Sequence, residues 1–330
     1  LNNAPYVDAE TRRRVLEAAQ QAGYGQDPSG RVGTVIGLVY PEAVVPADYG
    51  GFESALLVGI LDGLGETRYD LKILDLARDR DPVESFAAFF RRKGLRGVIL
   101  RSFEQSREMT RQIAAEGVPH VVVAERFSDD DRVNFICCDS RDDSRRAVRH
   151  LVELGHKRIA MGIHVIQDSD HLDRRAGYLD GLREAGLEAD PALMIEVPSS
   201  FEGGAAIVSR LMSRPEPPTA IFLTDPLLTF GALRRCLELG LRVPSDLSIV
   251  GFDDSDIRLH TFPACTAVCQ DARMLGREAA LWLSSWLENP QDRGRLREIR
   301  STRLEINQTT GKPATSRFRI MPDGSREAVM

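Results

Sequence analysis

The sequence predicts an α/β fold of two lobes, each a parallel sheet with helices on both faces, with a cleft between them. Short apolar runs alternate with segments of helical period along most of the chain, the pattern of strand–helix units in a parallel sheet. About halfway along, the alternation restarts on the same plan. Several apolar runs also end in polar or charged residues. In an open parallel sheet, ligands bind outside those carboxyl ends.

The clearest unit is residues 219–254. Ala220–Leu223 is a short apolar run of the kind a buried strand needs. Thr224 and Asp225 stop it, and Pro226 suits the first turn of a helix, where its missing N–H is no loss. Leu227, Phe230, Leu233, Leu237 and Leu241 recur at helical spacing, and Gly240 is placed to close the helix in a left-handed cap. A second apolar run, 247–252, ends in Asp253 and Asp254. Thr224, Asp225, Asp253 and Asp254 are therefore the first candidates for a binding site.

The same reasoning, taken in order, places strands at 34–40, 71–76, 98–100, 120–124 and 135–138, with helices at 52–66, 82–93, 106–116 and 142–154 between or after them. The second round has strand 158–163, helix 172–186, strand 193–197 and helix 202–212 before the 219–254 unit. A helix at 271–288 and a last segment at 302–308 follow. From residue 309 the composition is polar and turn-rich, so a partly disordered tail is expected over 311–330.

The bulk numbers narrow the class. A chain of 330 residues allows about two domains, and 42% hydrophobic with 28% charged residues is ordinary for a globular protein. No apolar run approaches the ~18–20 residues of a membrane span, and the N-terminus has no charged-then-apolar leader. A cytoplasmic protein without a membrane partner is expected. The five cysteines form no CxxC pair, which reads as free, buried thiols. A net charge of −6 makes the body a poor non-specific binder of nucleic acid. DNA binding would need a separate basic module.

Motifs for catalysis are weak. Gly59, Gly63 and Gly65 lack the Lys-Ser or Lys-Thr of a phosphate loop and sit inside a helical segment, where close packing against the sheet explains them. No GxSxG elbow occurs. The segment from His164 to His171 carries two His and two Asp, but its spacing fits no common zinc pattern, so no metal site is assigned. On a strand, Cys265 and Cys269 would stand about 13 Å apart, beyond disulfide reach. No nucleophile–base pair supports an enzyme, and no cofactor is implied.

The run TDPLLTFGALRRCLELGLRVPSDLSIVGFDD, followed by Pro263-Ala264-Cys265-Thr266, resembles the C-terminal core of the LacI/GalR family of bacterial transcription regulators. HLVELGHKRIA around His150 and His156 is similar to another family segment, where both histidines are structural. The resemblance covers about residues 5–310. It implies a periplasmic-binding-protein-like fold whose two lobes are joined by three crossovers, near Gly162, Cys269 and Ser301. The expected lobes are then 33–162 with 270–300, and 163–269 with 301–310, after a headpiece remnant at 1–32.

Matched position by position, the resemblance also implies effector-binding residues. In Asp173-Arg174-Arg175-Ala176-Gly177-Tyr178, Arg174 takes the place of an Arg that forks onto ligand hydroxyls or a carboxylate, a task its planar donors suit. Asp253 matches an aspartate that accepts from sugar hydroxyls, with Asp254 its more structural neighbour. Glu125 falls where the family commonly has a ligand-binding Asp, and Thr224 replaces a frequent Asn. Phe52 fits an aromatic wall, Arg101 and Ser102 end the third strand, and Gln270 lies on the second crossover.

At the N-terminus, Val7, Thr11, Arg12, Val15, Ala18, Ala19, Gly23 and Tyr24 match the third helix of the family's DNA-binding headpiece, and residues 1–3 would end its recognition helix. The link 25–31 (GQDPSGR) reads as a loop, whereas DNA-binding members have a short Ala/Arg/Leu-rich hinge helix there. These features imply a ligand-responsive transcription regulator that works as a homodimer on operator DNA. Its effector is expected to be a sugar or sugar derivative. A solute-binding protein of a transporter, or a homologue that has lost DNA binding, are the alternatives.

Overall fold

A computed structural model describes Thr11, Arg14 and residues 34–41, 51–165, 168–254, 256–289, 291, 294–315, 317–322 and 324–329. Thr11 and Arg14 are helical and exposed. The rest of the headpiece-like segment and the link 25–31 lie outside the described residues.

The first half runs β1 (Val35–Tyr40), α1 (Gly51–Leu64), β2 (Asp70–Asp75), a short α2 (Leu76–Asp79), α3 (Phe86–Arg92), β3 (Leu95–Arg101), α4 (Arg107–Ala115), β4 (His120–Val123) and β5 (Phe135–Asp139). The second runs α5 (Arg141–Glu153), β6 (Ile159–His164), α6 (Ser169–Glu184), β7 (Met194–Val197), α7 (Phe201–Met212), β8 (Ala220–Leu223), α8 (Pro226–Glu238), β9 (Ser248–Asp253) and β10 (Thr266–Cys269). Then come α9 (Ala272–Glu288), β11 (Arg297–Ser301), β12 (Arg303–Glu305), β13 (Arg317–Ile320) and β14 (Arg326–Val329).

Two six-stranded sheets result, in the orders β11-β5-β4-β3-β1-β2 and β12-β10-β9-β8-β6-β7. Every pairing in them is parallel except β12 against β10. Within each sheet the first five strands of the unit follow the order 2-1-3-4-5, which puts a switch point between β1 and β3 and between β6 and β8. Both faces are covered, so strands such as Ala220–Leu223 are buried at every position rather than alternating. In the first sheet, Ile36 and Leu38 face α1 and α9, while Val39, Val98 and Leu100 face Phe86, Phe89 and Ile113. In the second, Ile221, Leu223 and Ile249 face α7 and α8, and Phe222, Val250 and Phe252 face α5 and α6.

Close packing of α1 on α9 explains the glycines at 59 and 63. A Cβ on Gly59 would stand 1.9 Å from the Arg273 carbonyl oxygen, and one on Gly276 would stand 2.3 Å from that of Leu56. The expected packing partner was the sheet; it is a helix instead. At the end of α8, Gly240 takes φ +64°, the left-handed cap its position predicts. All five cysteines are free and buried.

Three differences from expectation stand out. The first crossing falls between Asp139 and Arg141, not near Gly162. Residues Ala147, Val148 and Leu151 of α5 share a core with Ile159, Met161 and Tyr178, and Ile159–Gly162 pairs with β8 in the second sheet. Strand–helix alternation alone does not say which sheet a helix covers. The other passages between sheets are 269–272 and 301–303. Second, the described residues of 311–330 do not form a loose tail: β13 and β14 pair as a hairpin, and Ile320 is buried with Phe318 against the core under α7 and α8. Third, β11 is a highly charged edge strand, REIRS, with no apolar run to announce it.

Candidate functional site

The carboxyl ends of the two sheets face each other, and the chemistry collects there. On the first lobe, Arg101 ends β3 and Glu125 follows β4 after Ala124, whose φ of 62° is a left-handed conformation costing roughly 1–2 kcal/mol in an L-residue. On the second, His164 ends β6, Thr224 and Asp225 follow β8, Asp253 ends β9 with Asp254 after it, and α6 points its N-terminus into the cleft. Asp168 caps that helix, accepting from the His171 N–H at 3.0 Å.

The lobes meet at the N-terminal end of α6. Glu125 accepts from the Ser169 N–H at 2.8 Å, and the Arg126 N–H donates to the Ser169 hydroxyl at 2.9 Å. The Arg126 guanidinium grips both oxygens of Asp173, at 2.8 and 2.9 Å. Arg107 forms an ion pair with Glu125 from within the first lobe. Burial, aided by the Asp168 charge, pushes the Glu125 carboxyl up to about 7 against the pull of Ser169 and Arg107.

Arg174 is the centre of the second lobe's side. It is 4% exposed, donates to the Thr224 carbonyl at 2.8 Å, stands 3.8 Å from Asp170 and lies 3.7 Å over the Phe252 ring. Gln270 donates to Asp254 at 2.6 Å. Burial raises Asp254 to about 7, although Arg174 and Gln270 draw it down, and burial with the Asp168 charge raises Asp170 well above the usual range. Three buried polar atoms here have no partner among the described residues: Arg174 Nε, Asp170 Oδ1 and Gln270 Oε1. Native interiors leave few such atoms, and each calls for an explanation.

The predicted residues divide. Arg174, Thr224, Glu125 and Gln270 come together at the cleft. Arg101 lies on its first-lobe side, bonded to Glu53 at 2.8 Å and the Val123 carbonyl at 2.6 Å, with its guanidinium 4.8 Å over Phe52. Ser102 is turned inward to the hydroxyls of Ser106 and Thr110. Asp253 accepts from the Asp254 N–H and from the Arg258 N–H and guanidinium, and Arg258 also holds Glu305. The carboxylate beside Gln270 and Arg174 is thus that of Asp254, because neighbouring residues at a strand end turn their side chains apart.

A group not assigned from the sequence lies beside Arg174. The His171 ring is held between Asp168 Oδ1 at 2.7 Å from Nδ1 and Asp225 Oδ1 at 3.1 Å from Nε2. Burial opposes its charge, but the two carboxylates hold it up at about 10. The same imidazole keeps Asp168 and Asp225 below the usual carboxylate range, against burial. Thr224 donates to the far oxygen of Asp225 at 2.5 Å. His164 faces His171 with ring centroids 5.7 Å apart. Donor atoms of His164, His171 and Asp225 all lie within 4.8 Å of one another, the one set among the described residues able to surround a metal ion. Asp225 is 54 residues from His171, so local spacing held no sign of it.

Two similar parallel-sheet lobes, with polar side chains converging from both at the strand ends, define a protein of the periplasmic-binding-protein-like class. A family model described as a periplasmic binding protein-like domain matches residues 148–310. The HTH-type transcriptional repressor CytR of Escherichia coli (strain K12) is 30% identical over 296 residues, covering 86% of this chain and 83% of the relative. A structure of the transcriptional regulator CelR in complex with cellobiose is similar at a TM-score of 0.73 and 25% identity, with 93% of both chains covered. A LacI-type regulator from Bacillus cereus subsp. cytotoxis gives 0.74 and 26%, covering 84% of this chain and 99% of the other. The chain belongs to the LacI family of transcriptional regulators.

Proposed function

We propose that the cleft binds a small polyhydroxylated effector, a sugar or sugar derivative, and that its binding controls DNA affinity by stabilising closure of the lobes within a homodimer. The observation that carries this reading is the set of orphaned atoms at the cleft: a donor on Arg174 and acceptors on Asp170 and Gln270. A ligand that satisfies all three both donates and accepts, as a hydroxyl does. The carboxyl of Asp254 and the guanidinium of Arg174 add one further partner of each kind. The cellobiose complex of a relative supports the same ligand class. Contacts from Glu125 and Arg126 to α6 support closure as the responding motion, since an effector favours whichever state it contacts more.

A thermal-shift screen against sugars, sugar acids, polyols and nucleosides tests this. A ligand at 100 times its Kd stabilises by about 2.7 kcal/mol. The expected result is a hydroxyl-rich hit that Arg174→Ala and Asp254→Ala abolish. A hit that neither substitution affects puts the site elsewhere, and an exclusively hydroxyl-free hit overturns the ligand class. The dimer is checked by sedimentation, and the coupling by operator affinity with and without the hit.

A further inference from the structure

We propose that His164, His171 and Asp225 form a site for a divalent transition-metal ion, zinc being the representative case, on the second lobe's side of the cleft. The three residues come from three elements: the end of β6, the first turn of α6 and the residue before α8. Two imidazole nitrogens and a carboxylate oxygen are a donor set for Zn²⁺, Co²⁺ or Ni²⁺. Mg²⁺ and Ca²⁺ ask for oxygen ligands throughout.

The geometry is close to what such an ion needs. With bonds of about 2.0–2.1 Å, neighbouring ligand atoms on a tetrahedral ion stand about 3.3 Å apart. His171 Nε2 and Asp225 Oδ1 are 3.1 Å apart, and the ion takes the place of the proton between them, which leaves to solvent. His164 is half-buried, with a ring nitrogen within 4.8 Å of both other donor atoms. Three protein ligands leave a fourth position open to water or to an oxygen of a bound molecule.

The surroundings support the same reading. Asp168 takes the Nδ1 side of His171 at 2.7 Å, which orients the ring and directs Nε2 at the site. Such a carboxylate behind a ligating imidazole is a regular feature of metal centres. Thr224 fixes the other oxygen of Asp225 at 2.5 Å, leaving Oδ1 toward the ring. Asp170, buried near Asp168 and His171, has one oxygen without a partner among the described residues. The proposal does not depend on which effector the cleft takes.

Titration of the chelator-treated full chain with Zn²⁺ by calorimetry tests it. One ion is expected to bind per chain, with affinity at least tenfold weaker in His164→Ala and in Asp225→Asn. The control His260→Ala removes an exposed histidine outside the cluster and is expected to bind as before. X-ray absorption on the zinc-loaded wild-type chain gives a readout that does not depend on variants folding, with two imidazoles expected in the first shell. No zinc binding by the wild-type chain, undiminished binding in both variants, or a shell without imidazole overturns the proposal.

Discussion

Asp253 and Asp254 are chain neighbours with opposite surroundings, and the difference has a measurable consequence. Asp253 is enclosed by donors from the segment around Arg258, whereas Asp254 sits in the cleft with its carboxyl pushed up to about 7 by burial. A carboxyl that holds its proton to higher pH when folded than when unfolded favours the fold below its unfolded value of 3.8, and that contribution is lost as pH rises through about 7. Asp168 and Asp225, held low by His171, act in the opposite sense, but only as pH falls below the ordinary range. Denaturant unfolding from pH 4.5 to 7.5 is therefore expected to show the wild type losing stability with rising pH relative to Asp254→Asn, whatever the histidines His120, His150 and His156, held low by burial, add to both alike. A shift of this size is worth a few kcal/mol, so identical pH dependences of wild type and variant would refute the assignment. At this scale the sequence is informative where a motif lies along one element, as where it puts Arg174 on the helix whose N-terminal end meets the other lobe. It is silent where partners come from distant elements, as for His171 with Asp225, or where two adjacent acids must be assigned to opposite sides.

Between elements, the contact of α1 with α9 is the most sensitive. Gly59→Ala forces a methyl against the Arg273 carbonyl, and overpacking of this kind typically costs about 1–3 kcal/mol. Gly65→Ala meets nothing closer than 3.4 Å and is expected to change stability by less than about 0.5 kcal/mol. Equilibrium unfolding of both variants checks the contrast, and equal effects would count against the packing described. In the C-terminal hairpin, Ile320→Ala is expected to cost about 2 kcal/mol and to speed hydrogen exchange over β13 and β14. Most strands and helices were legible because their apolar runs are buried on both faces or on one helical stripe. The hairpin was not, since its two apolar anchors, Phe318 and Ile320, are too few to stand out among charged residues. The edge strand β11 was missed for the same reason, as its pairing comes from the backbone rather than from apolar side chains.

For the whole molecule, Arg126 is the side chain that spans the cleft most directly. Arg126→Ala removes the grip on Asp173 and shifts the population toward separated lobes. A larger radius of gyration in small-angle scattering is expected, with effector binding weakened about tenfold, equivalent to about 1.4 kcal/mol. A scattering curve identical to that of the wild type would show that the contact does not hold the lobes together. The interleaving of the lobes bears on a different question, how the chain acquires its structure as it is synthesised. The first sheet lacks the covering helix α9 and its edge strand β11 until residues 272–301 exist, because all of the second sheet except β12 comes between β5 and α9 in the chain. A nascent chain that has finished β5 therefore still exposes the apolar face later covered by Leu275, Ala279 and Leu283. The second lobe in turn waits for β12 and for the β13–β14 hairpin that brings Ile320 into its core, so both lobes are completed only near the end of translation, unlike domains that mature one after another on the ribosome.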